Sequence, residues 1–179
     1  MKIGFTGTMS VGKTTLVNVL KEQPEFKDYT FATERSKYLR DLGIPLNTDS
    51  SLKGQVIFLA ERCSELLQPK IITDRTVIDV MAFTRLAQSI PFTHSDKFYD
   101  LAIKFIKEYD YIFYISPEGV EMEDNGVRET DLDFRNRVDR EIRDIIEDNK
   151  HLIKNYVELS GGIAERVDKV ISSISHPYL

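Results

Sequence analysis

Short apolar runs alternate with longer amphipathic stretches along the chain. Lys2-Ile-Gly-Phe-Thr6 alternates into an apolar run, and Leu16, Val17, Val19 and Leu20 then recur at helical spacing over 14–22, which predicts a strand followed by a helix. Pro24 stops that helix, and Tyr29-Thr-Phe-Ala-Thr33 reads as a second strand ending at Glu34-Arg35. A short helix is expected from Ser36 to Leu42, closed by Gly43, and a loop from Ile44 to Ser50, with Pro45 and Asn47. From Ser51 to Leu67, the residues Val56, Leu59, Ala60, Cys63, Leu66 and Leu67 fall on one stripe and predict a core-facing helix. Gln55 near its start either faces a site or is solvated. Pro69 precedes a third strand, Lys70-Ile-Ile-Thr73, ending at Asp74-Arg75, and Val77, Ile78, Met81, Ala82 and Leu86 continue as a helix. Pro91 breaks the chain again, before a helix from Phe98 to Tyr109 and a fourth strand, Tyr111-Ile-Phe-Tyr-Ile115. A polar loop from Pro117 to Arg128, a helix from about Asp131 to His151, a fifth strand at Tyr156 to Leu159, a Ser160-Gly161-Gly162 turn and a helix from Ile163 to Ser173 complete the pattern. Strands alternating with helices predict an α/β fold, a parallel sheet covered on both faces.

A length of 179 residues supports one well-buried core, hence a single domain over 1–179. With 41% hydrophobic and 30% charged residues the chain reads as globular, and no apolar run is long enough for a bilayer. The first strand starts at once, leaving no room for a signal peptide, and the lone Cys63 excludes an internal disulfide. Both suit a cytoplasmic location. A net charge of −5 argues against broad nonspecific attraction to nucleic acid.

The strand-to-helix junction carries the chemistry. Gly7-Thr-Met-Ser-Val-Gly-Lys-Thr14 fits the phosphate-loop pattern of Gly, four residues, Gly, Lys and then Ser or Thr. Gly7 and Gly12 let the backbone turn successive N–H groups into one concavity, and the helix N-terminus adds partial positive charge. Gly7, Ser10, Val11, Gly12, Lys13, Thr14 and Thr15 are the expected nucleotide-binding residues. Lys13 reaches the β and γ phosphates, and Thr14 is placed to ligate Mg²⁺ together with Asp74. Arg75 follows Asp74 where many motor-type ATPases have a Glu that activates water, and an arginine is no base. It can clamp a phosphate or neutralise a migrating phosphoryl group instead; a helix cap plus a surface charge is the plainer alternative for the pair. No Asn-Lys-x-Asp guanine-reading tetrad occurs, since Asn149-Lys150-His151-Leu152 lacks the Asp. Transfer to an acceptor is therefore favoured over hydrolysis. Asp124-Asn-Gly-Val-Arg128 forms a second polar cluster, with Arg135 two helical turns beyond Arg128. Beside Gly126, Arg128 suits a lid that carries positive charge over a phosphate, whereas Arg137 and Arg143 read as ordinary i,i+4 surface pairs.

In this order the motifs resemble the phosphate-loop nucleoside and nucleotide kinases, above all the branch related to nicotinamide riboside kinases, with thymidylate kinases more distant. The likeness runs through Gly7 to Thr14, Glu34-Arg35, Asp74-Arg75 with Asp79 and Phe83, Asp124 to Arg128 with Arg135, and Gly161-Gly162 leading into Glu165-Arg166-Val167. It implies a three-layer α/β/α fold with five parallel strands in order 2-3-1-4-5, a lid over about 119–135, and adenine near Gly161 and Gly162. It further implies an acceptor site drawn from Glu34, Arg35, Gln55, Arg75, Asp79 and Phe83. Phe83 stands where the family often has Tyr, which removes a hydroxyl. The expected activity is ATP- and Mg²⁺-dependent phosphorylation of a nucleoside or nucleotide, with Lys13, Arg75 and Arg128 acting on phosphate and Glu34 or Asp74 accepting the proton. Small kinases that phosphorylate hydroxymethylated pyrimidines in DNA offer a second reading, and a non-catalytic ATP-binding sensor or scaffold a third. Against DNA, 118–148 holds twelve acidic residues and five arginines.

Overall fold

Strand β1 (Lys2–Thr6) lies at the centre of a five-stranded sheet whose order is β2-β3-β1-β4-β5, formed with β2 (Thr30–Ala32), β3 (Ile71–Asp74), β4 (Tyr111–Ile115) and β5 (Tyr156–Leu159). Every neighbouring pair is parallel. The helices are α1 (Lys13–Lys21), α2 (Ser36–Asp41), α3 (Leu52–Glu65), α4 (Val77–Leu86), α5 (Phe92–Ala102), α6 (Leu132–Asp148) and α7 (Ile163–Ser175). The computed structural model describes residues 1–33, 36–118 and 132–175. The strand order and the three-layer arrangement are those the family resemblance implies.

Parallel strands buried on both faces need apolar side chains at successive positions, and all five residues of β4 are buried. Their alternation divides the core in two. Ile112 and Tyr114 join the layer of α4, α5 and α6, with Met81, Phe98, Val138 and Ile142, whereas Phe113 and Ile115 join the layer of α1 and α7, with Leu16, Leu20 and Val170. Phe113 stacks between Phe5 and Tyr111, at centroid distances of 5.3 and 5.8 Å. In β1, a Cβ on Gly4 would lie 2.5 Å from the Thr76 methyl and 2.7 Å from the Tyr109 ring. Glycine is what allows those two side chains to pack over the strand.

Two expectations are corrected. Helix α5 begins at Phe92, six residues before the expected start, and 103–108 is 3₁₀ rather than α. Pro91 at φ −57° occupies the N-cap, so it introduces the helix instead of excluding it. Ser95, Phe98 and Ala102 then form the buried face. The second correction is the orientation of α3. Val56 and Leu67 are 50% and 81% exposed, while Gln55 and Arg62 are each 3% exposed. The buried face runs through Gln55, Leu59, Arg62 and Leu66 because it covers polar backbone at the end of β3, not only apolar core. Other boundaries shift slightly; α6 stops at Asp148, followed by a 3₁₀ turn over Lys150–Leu152. Glu34, Arg35, Arg128 and the 119–131 part of the expected lid lie outside the described residues.

Candidate active site

The loop between β1 and α1 closes into a cup because its backbone adopts conformations that few side chains allow. Gly7 has φ 146°, and a Cβ there would stand 2.7 Å from the Ile115 carbonyl oxygen of β4. Ser10 tolerates φ 57° at the rim. Met9, Ser10, Val11, Gly12, Lys13 and Thr14 line the resulting pocket with Asp74 and Arg75. Thr15, also expected at the nucleotide, is exposed one residue further along α1. The Lys13 ammonium is buried and donates to the carbonyls of Gly7 and Thr8 at 2.6 and 2.7 Å. Phosphate oxygens can replace those acceptors, since a lysine ammonium is a rotatable point charge.

Register places Asp74 beside Phe5, so the end of β3 meets the start of the loop. The Thr14 hydroxyl donates to Asp74 Oδ2 at 2.5 Å. Asp74 is wholly buried, and its Oδ1 has no hydrogen-bond partner among the described residues. A buried carboxylate oxygen next to a hydroxyl, on residues that both border the phosphate cup, is a hard oxygen donor set that fits Mg²⁺.

Arg75 turns the chain out of β3 at φ 84°, a left-handed conformation costing about 1 kcal/mol or more for a residue with a side chain. The turn is held on several sides. Its N–H donates to the Phe5 carbonyl at 3.0 Å, its guanidinium lies 3.8 Å from Asp79 Oδ1, and it packs over the Phe83 ring at 5.2 Å. Asp79 also caps α4, accepting from the Thr76 N–H and hydroxyl at 2.7 and 3.1 Å, while the Thr76 hydroxyl accepts from the Ile78 N–H. The helix cap is therefore Thr76 with Asp79, which removes the plainer explanation of Asp74-Arg75.

Arg62 of α3 was not foreseen. It donates to the carbonyls of Asp74 and Arg75 at 3.0 and 3.5 Å and to Glu65 at 2.7 Å. Its spacing of seven from Gln55 was the available signal, hidden by the more conspicuous apolar stripe. Gln55 is brought to a second cleft, where Asn47, Phe58, Arg75, Asp79 and Phe83 stand around it. Arg75 belongs to both cavities.

Two helices on opposite faces of the sheet reach the outside of the cup. Arg135 of α6 is buried, its Nε donates to the Met9 carbonyl at 3.3 Å, and its own carbonyl accepts from the Thr8 hydroxyl at 2.9 Å. Arg166 of α7 donates to the Val11 carbonyl at 2.7 Å. Ahead of it, Gly161 turns at φ 78°, and the Gly162 N–H donates to Glu165 Oε2 at 2.7 Å, so the two glycines open α7 close to the loop. Arg143, expected as a surface pair, does pair with Asp139 at 3.2 Å and also covers the Tyr114 ring at 4.6 Å.

The AAA domain family matches residues 2–166. The solved structure of NadR protein in complex with NAD and AMP-PNP superposes with a TM-score of 0.71 at 19% identity, over 98% of this chain and 48% of that one. NadR protein in complex with NR gives 0.70 at 20%, over 98% and 50%. Deoxyadenosine kinase from M. mycoides with products dCMP and a flexible dCDP bound gives 0.68 at 16%, over 99% of this chain and 100% of that one. At these identities the likeness is one of fold, and the chain spans about half the length of the NadR chains. No curated protein matches by sequence.

Proposed function

Since this chain belongs to the AAA domain family, we infer that it is an ATP- and Mg²⁺-dependent phosphotransferase that moves the γ-phosphoryl group to a hydroxyl or phosphate of a nucleoside-type acceptor. The observation that carries this reading is the sharing of Arg75 by the phosphate cup and the Gln55 cleft. Donor and acceptor bound in adjoining cavities would meet at a guanidinium able to take up the charge of a migrating phosphoryl group. Two cavities joined in this way are also what transfer needs and plain hydrolysis does not. Arg75 follows Asp74 in the sequence, at the position where many motor-type ATPases carry a Glu that activates water.

In this reading Lys13 and the amides from Ser10 to Thr15 hold the donor phosphates, and Gly161 and Gly162 border the base. Thr14 and Asp74 hold Mg²⁺, which when bound neutralises charge on the β and γ phosphates. Gln55 offers an amide donor and acceptor to a ring flanked by Phe58 and Phe83, and Asp79 keeps Arg75 aimed. Arg135, with Arg128, adds positive charge beside the phosphates, Arg35 serves the acceptor, and Glu34 or Asp74 takes the acceptor proton. Catalysis would then consist mostly of positioning and charge stabilisation. The nucleotides and NAD named in the neighbouring structures support a nucleoside-type acceptor and an adenine donor.

Incubation with γ-labelled ATP, Mg²⁺ and a panel of nucleosides, nucleoside monophosphates, nicotinamide riboside and base-modified DNA tests this. Label on a small acceptor is the expected result. Bound ATP with no labelled acceptor would instead describe a nucleotide-dependent sensor.

A further inference from the structure

Arg166 is a buried cation, 5% exposed, and no carboxylate among the described residues pairs with it. Burial holds its pKa below the usual arginine value. Its Nη1 is committed to the Val11 carbonyl at 2.7 Å, and its buried Nε has no hydrogen-bond partner among the described residues. Nη1 would also stand 3.4 Å from a Cβ on Gly12. Arg166 therefore lies directly against the Val11–Gly12 peptide.

That peptide is trans, like every other described here. A trans peptide sends its C=O and N–H to opposite sides. A donor that holds the Val11 oxygen toward α7 thus directs the Gly12 N–H away from α7, and Gly12 is part of the cup lining. The cation also polarises the peptide in the sense that strengthens that N–H as a donor to an anion. A desolvated positive charge without a counter-charge among the described residues is unfavourable until an anion arrives nearby.

We propose that Arg166 is a positioning residue for the nucleotide: it orients the Gly12 amide into the cup and leaves a buried positive charge that the bound triphosphate neutralises, so that occupancy of the cup stabilises α7. The proposal rests on the cup holding a triphosphate, as inferred above, but not on the identity of the acceptor. It also joins the Gly161–Gly162 turn to the phosphates, because that turn opens the helix bearing Arg166.

Inorganic tripolyphosphate with Mg²⁺ isolates the phosphate contribution from that of the base. Calorimetric titration of Arg166→Met is expected to show a loss of tenfold or more for tripolyphosphate and for ATP alike, with the ligand-free melting temperature at or above that of the parent. Arg166→Lys, which keeps the charge and one donor, should recover most of the affinity. In the unsubstituted protein, saturating tripolyphosphate should slow amide exchange over 163–170. Affinity within twofold of the parent in Arg166→Met overturns the proposal, as does a loss for ATP alone, which would place Arg166 at the base. Unchanged exchange over 163–170 overturns it without any variant having to fold. Failure of the unsubstituted protein to bind either ligand overturns the proposed function as well, which separates the two failures.

Discussion

Lys13 donates to two carbonyls inside its own loop, so removing its side chain costs the fold those two bonds, about 1 kcal/mol each, and costs the phosphates more. Lys13→Ala should lose turnover and most ATP affinity while keeping its melting temperature within a few degrees, checked by calorimetry beside thermal unfolding. Asp74 is different because it is buried and bonded to Thr14. If it serves Mg²⁺, Asp74→Asn should slow transfer by roughly 10² to 10⁴ and respond to raised Mg²⁺; if Glu34 is the base, Glu34→Gln should show a similar loss that Mg²⁺ does not relieve. Steady-state rates across an Mg²⁺ series distinguish them, and a loss under tenfold in both variants would remove both roles. The cup residues and Asp74 were legible in the sequence because a phosphate loop needs its types at fixed local spacing. Arg62 and Arg166 were not. Each acts on backbone carbonyls, which accept from any donor that reaches them, so neither the seven-residue spacing of Arg62 from Gln55 nor the likeness that takes in Arg166 marks the contact it makes.

Helix α3 shows how an element can be recognised and still be turned the wrong way. Its existence followed from helical periodicity, but Gln55 and Arg62 occupy the buried face that apolar residues would normally claim. Arg62→Leu should destabilise the protein by about 3 kcal/mol, because one change removes the donor to two carbonyls and to Glu65. Urea unfolding measures that loss, and a change near zero would mean that Leu packs as well as the polar network it replaces. Strands were read closely since buried parallel strands are continuous apolar runs, whereas the start of α5 was missed because a proline permits a helix to begin as readily as it forbids one to continue. At the opposite end of the sheet from the cup, Asp110 ties β1 to the approach to β5, accepting from the Lys2 N–H and the Lys154 ammonium at 2.8 Å each. Partial burial favours its neutral form, but those donors outweigh it and hold its carboxyl below the ordinary 3.8. A lowered folded pKa gives stability that is complete above the unfolded value near 3.8 and is lost as pH falls from there through the folded value. Asp110→Asn should therefore be less stable than the parent near pH 7 by under about 1 kcal/mol, given screening of a part-exposed pair. Thermal melts from pH 7 to pH 2 should show the difference closing below pH 4, and a constant difference would refute the assignment.

The two layers meet the sheet so that the cup and the Gln55 cleft open beside the same strand ends, the usual place for ligands in an open parallel sheet. Among the described residues, no helix is long and apolar enough to cross a membrane. Net charge is −5, and the acidic excess over 118–148 would oppose a DNA backbone. Small acceptors should accordingly be phosphorylated in preference to base-modified duplex, with duplex binding weak at 0.15 M salt. Micromolar duplex binding with a steep salt slope, and transfer onto that DNA alone, would reverse the choice of acceptor. The arrangement of α3 bears on how such a protein could be re-engineered. Gln55 and Arg62 are two turns apart on one rigid face, so shifting the helix to admit a larger ring would drag the Asp74–Arg75 corner with it. The stretch over 46–50 also walls the cleft and is tied to the turn after α4 by the Ser89 hydroxyl, which donates to the Ser50 carbonyl at 2.6 Å. A mutant library aimed at new acceptors should therefore randomise 46–50 and leave the helix intact, because only the loop can change the shape of the cleft without disturbing the corner that handles phosphate.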